Sequence, residues 1–173
     1  MSTILEILKY TLPALIVFIT AWLIIKQMIR NDQNRRNYEI VTKNQQHITP
    51  IRLQAYERMA LLLERMSPES LIMRVSSQTM TAKQMQTELL NTIRAEFDHN
   101  VSQQIYISPQ AWELIKNAKT TVTQLINNAA SRVKPDSSAM ILSKLILEDL
   151  ITLDKSPVAL ALDYLKKEIR QLY

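Results

Sequence analysis

The sequence contains no glycine and no cysteine among its 173 residues. A chain of this length would carry about a dozen glycines at the average usage of roughly 7%. Glycine supplies the positive φ of tight hairpin turns, so its absence argues against a β-rich fold. It also excludes the Walker loop, the G-x-G-x-x-G dinucleotide turn and the G-x-S-x-G nucleophile elbow. The lack of cysteine excludes disulfides, zinc ribbons, thiol nucleophiles and iron–sulfur ligation.

Histidine is nearly absent too, since the chain has only His47 and His99. Glu96 precedes His99 at the E-x-x-H spacing that di-iron bundles place on one helix face. Such a site needs a second copy of the motif, but Asn44 takes the corresponding place before His47. We therefore interpret His99 as an ordinary, partly exposed histidine, and the sequence predicts no metal site, no cofactor and no catalytic residue.

One long apolar run is present near the N-terminus. Residues 10–25 contain no charge over sixteen positions, and apolar residues continue to position 29. With Lys9 and Lys26 snorkelling at its ends, this run predicts a transmembrane helix over residues 1–29. Aromatic residues fall near both predicted interfaces, and a proline lies near the start, where a kink is tolerated. The residues that represent the predicted span are Tyr10, Pro13, Phe18, Trp22 and Ile25.

Basic residues are more frequent after the apolar run than before it. By the positive-inside rule, this asymmetry predicts an N-terminus outside and residues 27–173 in the cytoplasm. The same side chains could contact lipid headgroups, or act only as determinants of topology. The candidate headgroup contacts are Lys26, Arg30, Arg35 and Arg36.

The net charge of +5 is unevenly distributed. Residues 1–46 hold six basic and three acidic side chains, whereas residues 47–173 hold fifteen basic and thirteen acidic ones. A nucleic-acid-binding domain would need a concentrated basic patch of its own. The distribution therefore disfavours nucleic-acid binding.

The rest of the chain has the pattern of helices. Residues 30–48 are polar and predict a helical or flexible stalk, and residues 49–173 predict a cytoplasmic bundle of four to five helices. Thr49 and Pro50 have the pattern of a helix start, and the helix that begins after Thr81 is expected to bury apolar residues as far as Ile105. The apolar residues 137–153 suggest the centre of the bundle. Further start signals are Ser67-Pro68, Thr81 with Gln84, Ser108-Pro109 and Ser156-Pro157.

Several runs resemble a family of uncharacterised bacterial single-span membrane proteins. They are residues 8–15, 50–58, 94–100, 102–104 and 111–113, and the most specific is Pro-Ile-Arg-Leu-Gln-Ala-Tyr-Glu-Arg at 50–58. The resemblance covers nearly the whole chain and implies an inner-membrane location. It implies no activity and no functional residues.

These observations lead us to expect a non-enzymatic, membrane-anchored interaction or scaffold module at the cytoplasmic face. Its partners would be the lipid bilayer and an unidentified protein or further copies of itself, with no small-molecule substrate. One alternative is an enzyme whose carboxylate, Arg and Tyr residues converge between helices, and another is binding to anionic lipid or nucleic acid. The candidate polar interaction face consists of Arg58, Arg94, Glu96, His99, Trp112 and Glu113.

Overall fold

The computed structural model describes the backbone of residues 2–77, 79–153 and 155–172. Within residues 1–49, side chains are described at 12, 15–33, 35, 43, 48 and 49. The side chains of Tyr10, Pro13 and Arg36, which were assigned to the predicted span and headgroup contacts, lie outside the described residues.

Helices account for all the regular structure in these ranges, and the prediction of an all-helical chain is confirmed. They contain no strand, although Thr81 and Ser138 form one isolated antiparallel bridge. A short 3₁₀ helix, Val101–Ile105, follows the third α-helix. The α-helices are α1 (Ser2–Met66), α2 (Pro68–Val75), α3 (Ala82–Asn100), α4 (Pro109–Ser131), α5 (Ala139–Ile151) and α6 (Pro157–Leu172).

The chain divides into two compact units, Met1–Thr49 and Pro50–Tyr173. Helix α1 contributes to both, and the polar residues 30–48 belong to it. The prediction that a new helix begins at Pro50 is therefore wrong. A proline inside a helix removes one backbone hydrogen bond, but its fixed φ is compatible with helical geometry, so a long helix can continue through it.

The predicted transmembrane helix is not supported by the structure. In the part of the chain that is described, no helix has a stretch that is both long enough and apolar enough to cross a membrane. The charge-free run has sixteen residues, whereas a bilayer core needs about 20, and longer windows include Lys9, Lys26 or Gln27. The predictions of a single-pass anchor, of the N-out topology and of an inner-membrane location are contradicted by this finding.

Side-chain caps set several helix starts in the second unit. The Ser67 hydroxyl accepts from the backbone N–H of Ser70 at 3.3 Å, and that of Ser108 accepts from Ala111 at 3.1 Å. Thr81 and Gln84 form the reciprocal capping box, with N···O distances of 3.0 and 3.2 Å. These starts are confirmed because each cap uses residues within three positions of one another, so the sequence pattern contains the whole interaction.

The second unit is a bundle around one apolar core. It contains the C-terminal part of α1, the short α2 and the four helices α3 to α6, which is more than the four to five helices predicted. Helix α4 packs against α3, α5 and α6. The 3.6-residue spacing of the sequence predicts a buried stripe of Ala111, Ile115, Ala118, Val122, Leu125, Ala129 and Val133. The residues buried on α4 are the first six of these and Ile126, whereas Val133 follows the end of the helix and is half-buried.

Two details of the bundle differ from the predictions. Helix α3 ends at Asn100, whose side-chain amide donates to the Glu96 carbonyl at 2.9 Å. The chain then tightens to three residues per turn, which rotates Ile105 out of the apolar stripe and leaves it exposed. Helix α5 packs against α2, α3 and α4, but Met140 and Ile151 are exposed on it, so it does not form the bundle centre.

Candidate functional site

The largest exposed apolar surface in the described residues belongs to residues 12–29 of α1, which we name the apolar segment. Twelve large apolar side chains in it have exposed fractions between 44% and 71%. They are Leu12, Leu15, Ile16, Val17, Phe18, Ile19, Trp22, Leu23, Ile24, Ile25, Met28 and Ile29. Together they present apolar area on the order of 1,000 Å², whereas the largest patch on a monomer is typically about 300–600 Å².

This apolar surface surrounds the helix completely. Successive residues of an α-helix are about 100° apart, so the five consecutive residues 15–19 cover a full turn. Two of the polar side chains within the segment interact with their own helix. The Thr20 hydroxyl donates to the Ile16 or Val17 carbonyl at 3.0 or 2.9 Å, and the Lys26 ammonium lies 4.8 Å from the centre of the Trp22 ring. Around residues 15–19 the described surface of the helix is therefore apolar on every side.

The candidate headgroup contacts lie at the C-terminal end of this segment. Lys26, Arg30 and Arg35 are exposed, as are Phe18, Trp22 and Ile25, which were assigned to the span. The structure thus leaves these predicted residues on the surface of α1, where each is accessible to a partner.

The residues of the candidate polar face in the bundle differ in how far their side chains are exposed. Arg58, Arg94 and His99 are exposed, whereas Glu96 and Trp112 are half-buried. Trp112 stacks on Phe97 with ring centroids 5.2 Å apart, and the Lys119 ammonium lies 3.9 Å from the centre of the Phe97 ring. Glu113 forms an ion pair with Lys116 along α4.

Glu96 connects three helices. Its carboxylate accepts from Arg65 of α1 at 2.6 and 2.8 Å and from Arg74 of α2 at 3.1 Å. Arg74 also donates to the backbone carbonyl of Arg65 at 3.0 Å. Burial alone would raise the pKa of Glu96, but the hydrogen bonds and charges of the two arginines outweigh it and lower that pKa below its ordinary value.

Tyr56 on α1 is a buried polar group of a different kind. It is 1% exposed, and its hydroxyl has no hydrogen-bond partner among the described residues. Burial, and then the nearby Glu168 carboxylate, raises the pKa of Tyr56 to about 12, although Glu168 lies outside hydrogen-bonding geometry to it. Glu168 instead accepts from the Ser108 hydroxyl at 2.9 Å.

These contacts were missed by the sequence analysis, except for Glu96 itself. Arg65 and Glu96 are 31 residues apart, and Ser108 and Glu168 are 60 apart. No local spacing indicates such pairs, because they depend on how the helices pack. Glu96 lies beside the apolar stripe of α3, where a carboxylate needs a cation, and this position could have indicated that Glu96 forms an ion pair.

Replacing Tyr56 by phenylalanine is expected to leave the free energy of unfolding at pH 7 unchanged or to raise it by about 1 kcal/mol, because no hydrogen bond is lost. The raised pKa means that the folded state holds the phenolic proton more tightly than the unfolded chain. The contribution of this raised pKa to the stability of the folded protein is fully present below pH 10, and it is lost as the pH rises from 10 towards 12. Urea unfolding of both proteins at pH 7 and across this alkaline range measures the difference.

The control for this substitution is Tyr106→Phe, which removes an exposed tyrosine. If Tyr56→Phe lowered the free energy of unfolding at pH 7 by more than about 1 kcal/mol, the hydroxyl would have to be hydrogen-bonded.

The grooves and charged groups described elsewhere in the bundle show no recognisable ligand site among residues 50–77, 79–153 and 155–172. A groove of about 480 Å³ lies between the start of α3 and the end of α4. The adjacent N–H groups of Ala82 and Lys83 already donate to the carbonyls of Ser137 and Pro135, and Gln86 donates to Asn127 across the groove. Among the residues that the structure describes, no group of three or more metal-ligating side chains is placed to hold a metal ion.

The comparisons with known proteins give a family and no more. Neither the curated proteins nor the solved structures contain a significant match to this chain. The model of a protein family, DUF7935, matches residues 2–172, which is almost the whole sequence. The chain therefore belongs to DUF7935, a family of unknown function.

Proposed function

We propose that this protein is a non-enzymatic helical interaction module that binds another protein chain through the apolar segment. The observation that carries the proposal is the exposure of twelve large apolar side chains around residues 12–29. Burying one such side chain contributes about 1.5–3 kcal/mol, so a partner that covers even part of the segment gains substantial stabilisation.

The bundle supports binding over catalysis. Catalysis by side chains needs titratable groups that converge in a cleft and have pKa values near the working pH. Here Glu96 is held ionised by two arginines, and the pKa of Tyr56 is raised to about 12, far from neutrality. Of the described side chains with polar groups, those of Asn100 and Tyr56 are buried in the bundle core: Asn100 donates to a backbone carbonyl, and the Tyr56 hydroxyl has no hydrogen-bond partner among the described residues.

The composition of the apolar segment also suits a protein interface. Tryptophan, phenylalanine and methionine are enriched in interface cores, and the segment carries Trp22, Phe18 and Met28. Lys26 in its last turn, together with Arg30 and Arg35 after it, would form the polar rim. The bundle would then act as the folded body that carries this binding helix.

The proposal is tested by photo-cross-linking in cells that make the full chain naturally. A photoreactive amino acid in place of Phe18, which is 71% exposed, is expected to cross-link to one or a few defined protein chains. The matched control places the same amino acid at Met73, an apolar residue of the bundle that is 84% exposed.

A second change makes the test specific for the apolar surface. Adding Ile16→Glu and Leu23→Glu is expected to reduce the Phe18 cross-links at least about tenfold, because a buried unpaired carboxylate costs more than 1.4 kcal/mol. Adding Met73→Glu should leave them unchanged. Cross-links from Phe18 that match those from Met73, or that go to lipid and not to protein, would contradict the proposal.

A further inference from the structure

We infer that helix α6 is a strap: it opens and closes while the rest of the bundle stays folded, and the Glu168 carboxylate fastens it in the closed form. The inference concerns the bundle and is independent of the proposed binding by the apolar segment. Three observations carry it: the few buried side chains of α6, one polar contact near its end, and a buried hydroxyl without a partner next to that contact.

Helix α6 is held to the bundle by few buried side chains. Among its described residues only Val158, Ala161 and Leu165 are buried, whereas seven are buried on α4. Helix α5 also buries three, but backbone hydrogen bonds beside the bridge between Thr81 and Ser138 fix its start to that of α3. Elements with few buried apolar contacts open locally at a lower free energy than global unfolding requires. We therefore expect α6 to open more readily than the helices around α4.

One hydrogen bond fastens α6 near its C-terminal end. The Ser108 hydroxyl donates to the Glu168 carboxylate at 2.9 Å, and it also accepts from the backbone N–H of Ala111 at 3.1 Å. Glu168 thus lies beside the residue that caps α4, at a helix N-terminus, where a negative charge is stabilised. Ser108 and Glu168 are 60 residues apart, so this contact exists only while α6 lies against the start of α4.

The hydroxyl of Tyr56 favours the open form. It is buried and has no hydrogen-bond partner among the described residues, although the Glu168 carboxylate and the Arg52 guanidinium are nearby. Arg52, Ser108 and Glu168 are only half-buried, so this hydroxyl lies close to the surface of the bundle. When α6 moves away with Glu168, water reaches the hydroxyl. Hydration of an unpaired buried polar group shifts an equilibrium by about 5- to 150-fold, and Tyr56 therefore promotes opening.

The open form keeps most of the core. Helix α4 still packs against α3 and α5 when α6 has moved away, and α2 still packs against α3 and α5. Opening exposes the three buried side chains of α6 and breaks the contact between Ser108 and Glu168, whereas the hydration of Tyr56 offsets part of that cost. The bundle therefore has an open form that differs from the closed form in the position of one helix.

Hydrogen exchange of the purified full chain at neutral pH tests the strap. The backbone amides of α6 around Ala161 and Leu165 are expected to have protection factors at least about tenfold lower than those of α4 around Ile115, because α6 opens more often than the bundle unfolds. Equal protection of the two helices would show that α6 opens only by global unfolding, and it would overturn the inference.

Tyr56→Phe tests whether opening hydrates the buried hydroxyl. The exchange of the α6 amides is expected to slow about fivefold, because phenylalanine has no hydroxyl to hydrate in the open form. Tyr106→Phe, which removes an exposed hydroxyl, should leave their exchange unchanged. If Tyr56→Phe also left the exchange of α6 unchanged, the hydroxyl would stay buried during opening and the inference would be wrong.

Glu168→Ala tests the fastening of the closed form. Since a hydrogen bond to a charged group is lost, the α6 amides are expected to exchange at least about tenfold faster than in the wild type. The matched control is Asp163→Ala, which removes an exposed carboxylate from the same helix and should change their exchange less than about twofold. The same α6 exchange in the two variants would contradict the role of Glu168.

Discussion

Replacing Ile115 by alanine is expected to lower the free energy of unfolding of the bundle by about 2–5 kcal/mol. Ile115 is fully buried in α4, the helix that packs against α3, α5 and α6. Its removal takes apolar atoms from the core and leaves a cavity, because a close-packed interior relaxes only in part. Urea unfolding of the full chain measures the loss.

The two tryptophans allow the bundle to be observed separately. In a Trp22→Phe background the fluorescence comes from Trp112 alone, which stacks on Phe97 inside the bundle. The control is Ile141→Ala on α5, where the side chain is 50% exposed and the expected change is within about 0.5 kcal/mol. Equal losses for the two substitutions would show that α4 does not hold the core as described.

Replacing Glu96 by glutamine is expected to lower the free energy of unfolding by about 1–3 kcal/mol at pH 7. The carboxylate is 16% exposed and binds Arg65 and Arg74 together, so it neutralises the repulsion between them. Glutamine is nearly the same size and keeps an acceptor oxygen, but it removes the charge. The substitution therefore tests the charge and not the packing.

The pH dependence of stability provides a second measurement on the same pair of proteins. The pKa of Glu96 is lowered in the folded state, so its stabilising effect is present above the ordinary pKa of a glutamate and is lost as the pH falls through the folded value. We expect the difference between wild type and Glu96→Gln to shrink across that acid range.

Glu113→Gln is the matched control for Glu96→Gln. Glu113 is exposed and pairs with Lys116 three residues along the same helix, so its loss should change the free energy of unfolding by less than about 0.5 kcal/mol. A comparable loss from the two substitutions, with no acid dependence at Glu96, would contradict the assignment of Glu96 as the tie between α1, α2 and α3.

Helix starts were the most predictable part of the fold. Ser67, Thr81 and Ser108 each cap a helix through a residue within three positions, so the interaction is contained in a short stretch of sequence. The buried stripe of α4 was also predictable, because 3.6-residue periodicity alone identifies the face that meets the core.

Helix ends and continuations were harder to predict. Pro50 has the pattern of a start but lies inside α1, and α3 changes to a 3₁₀ turn at Asn100 before its apolar pattern ends. Both outcomes depend on packing and on the free-energy difference between continuing and changing the helix. This difference is similar to the contribution of a single hydrogen bond.

The candidate site was likewise predictable from the sequence only in part. The apolar segment is visible in the sequence as a run of apolar residues, but its interpretation as a transmembrane helix is contradicted, since the charge-free part has sixteen residues. The roles of Arg65, Arg74 and Glu168 were not visible in the sequence, because their partners are 31, 22 and 60 positions away along the chain, respectively.

The sequence by itself determined that the chain is helical, where several of its helices begin, and which segment is apolar on all sides. These properties follow from the missing glycines, from caps that span a few residues and from a periodicity that needs no neighbour. Only the tertiary structure decided which charges meet, that Tyr56 is buried without a partner, and that α5 leaves one face exposed. The physical reason is that these ion pairs and the surroundings of Tyr56 depend on which helices pack together, and residue spacing within one helix identifies its buried face but not the neighbours that this face meets.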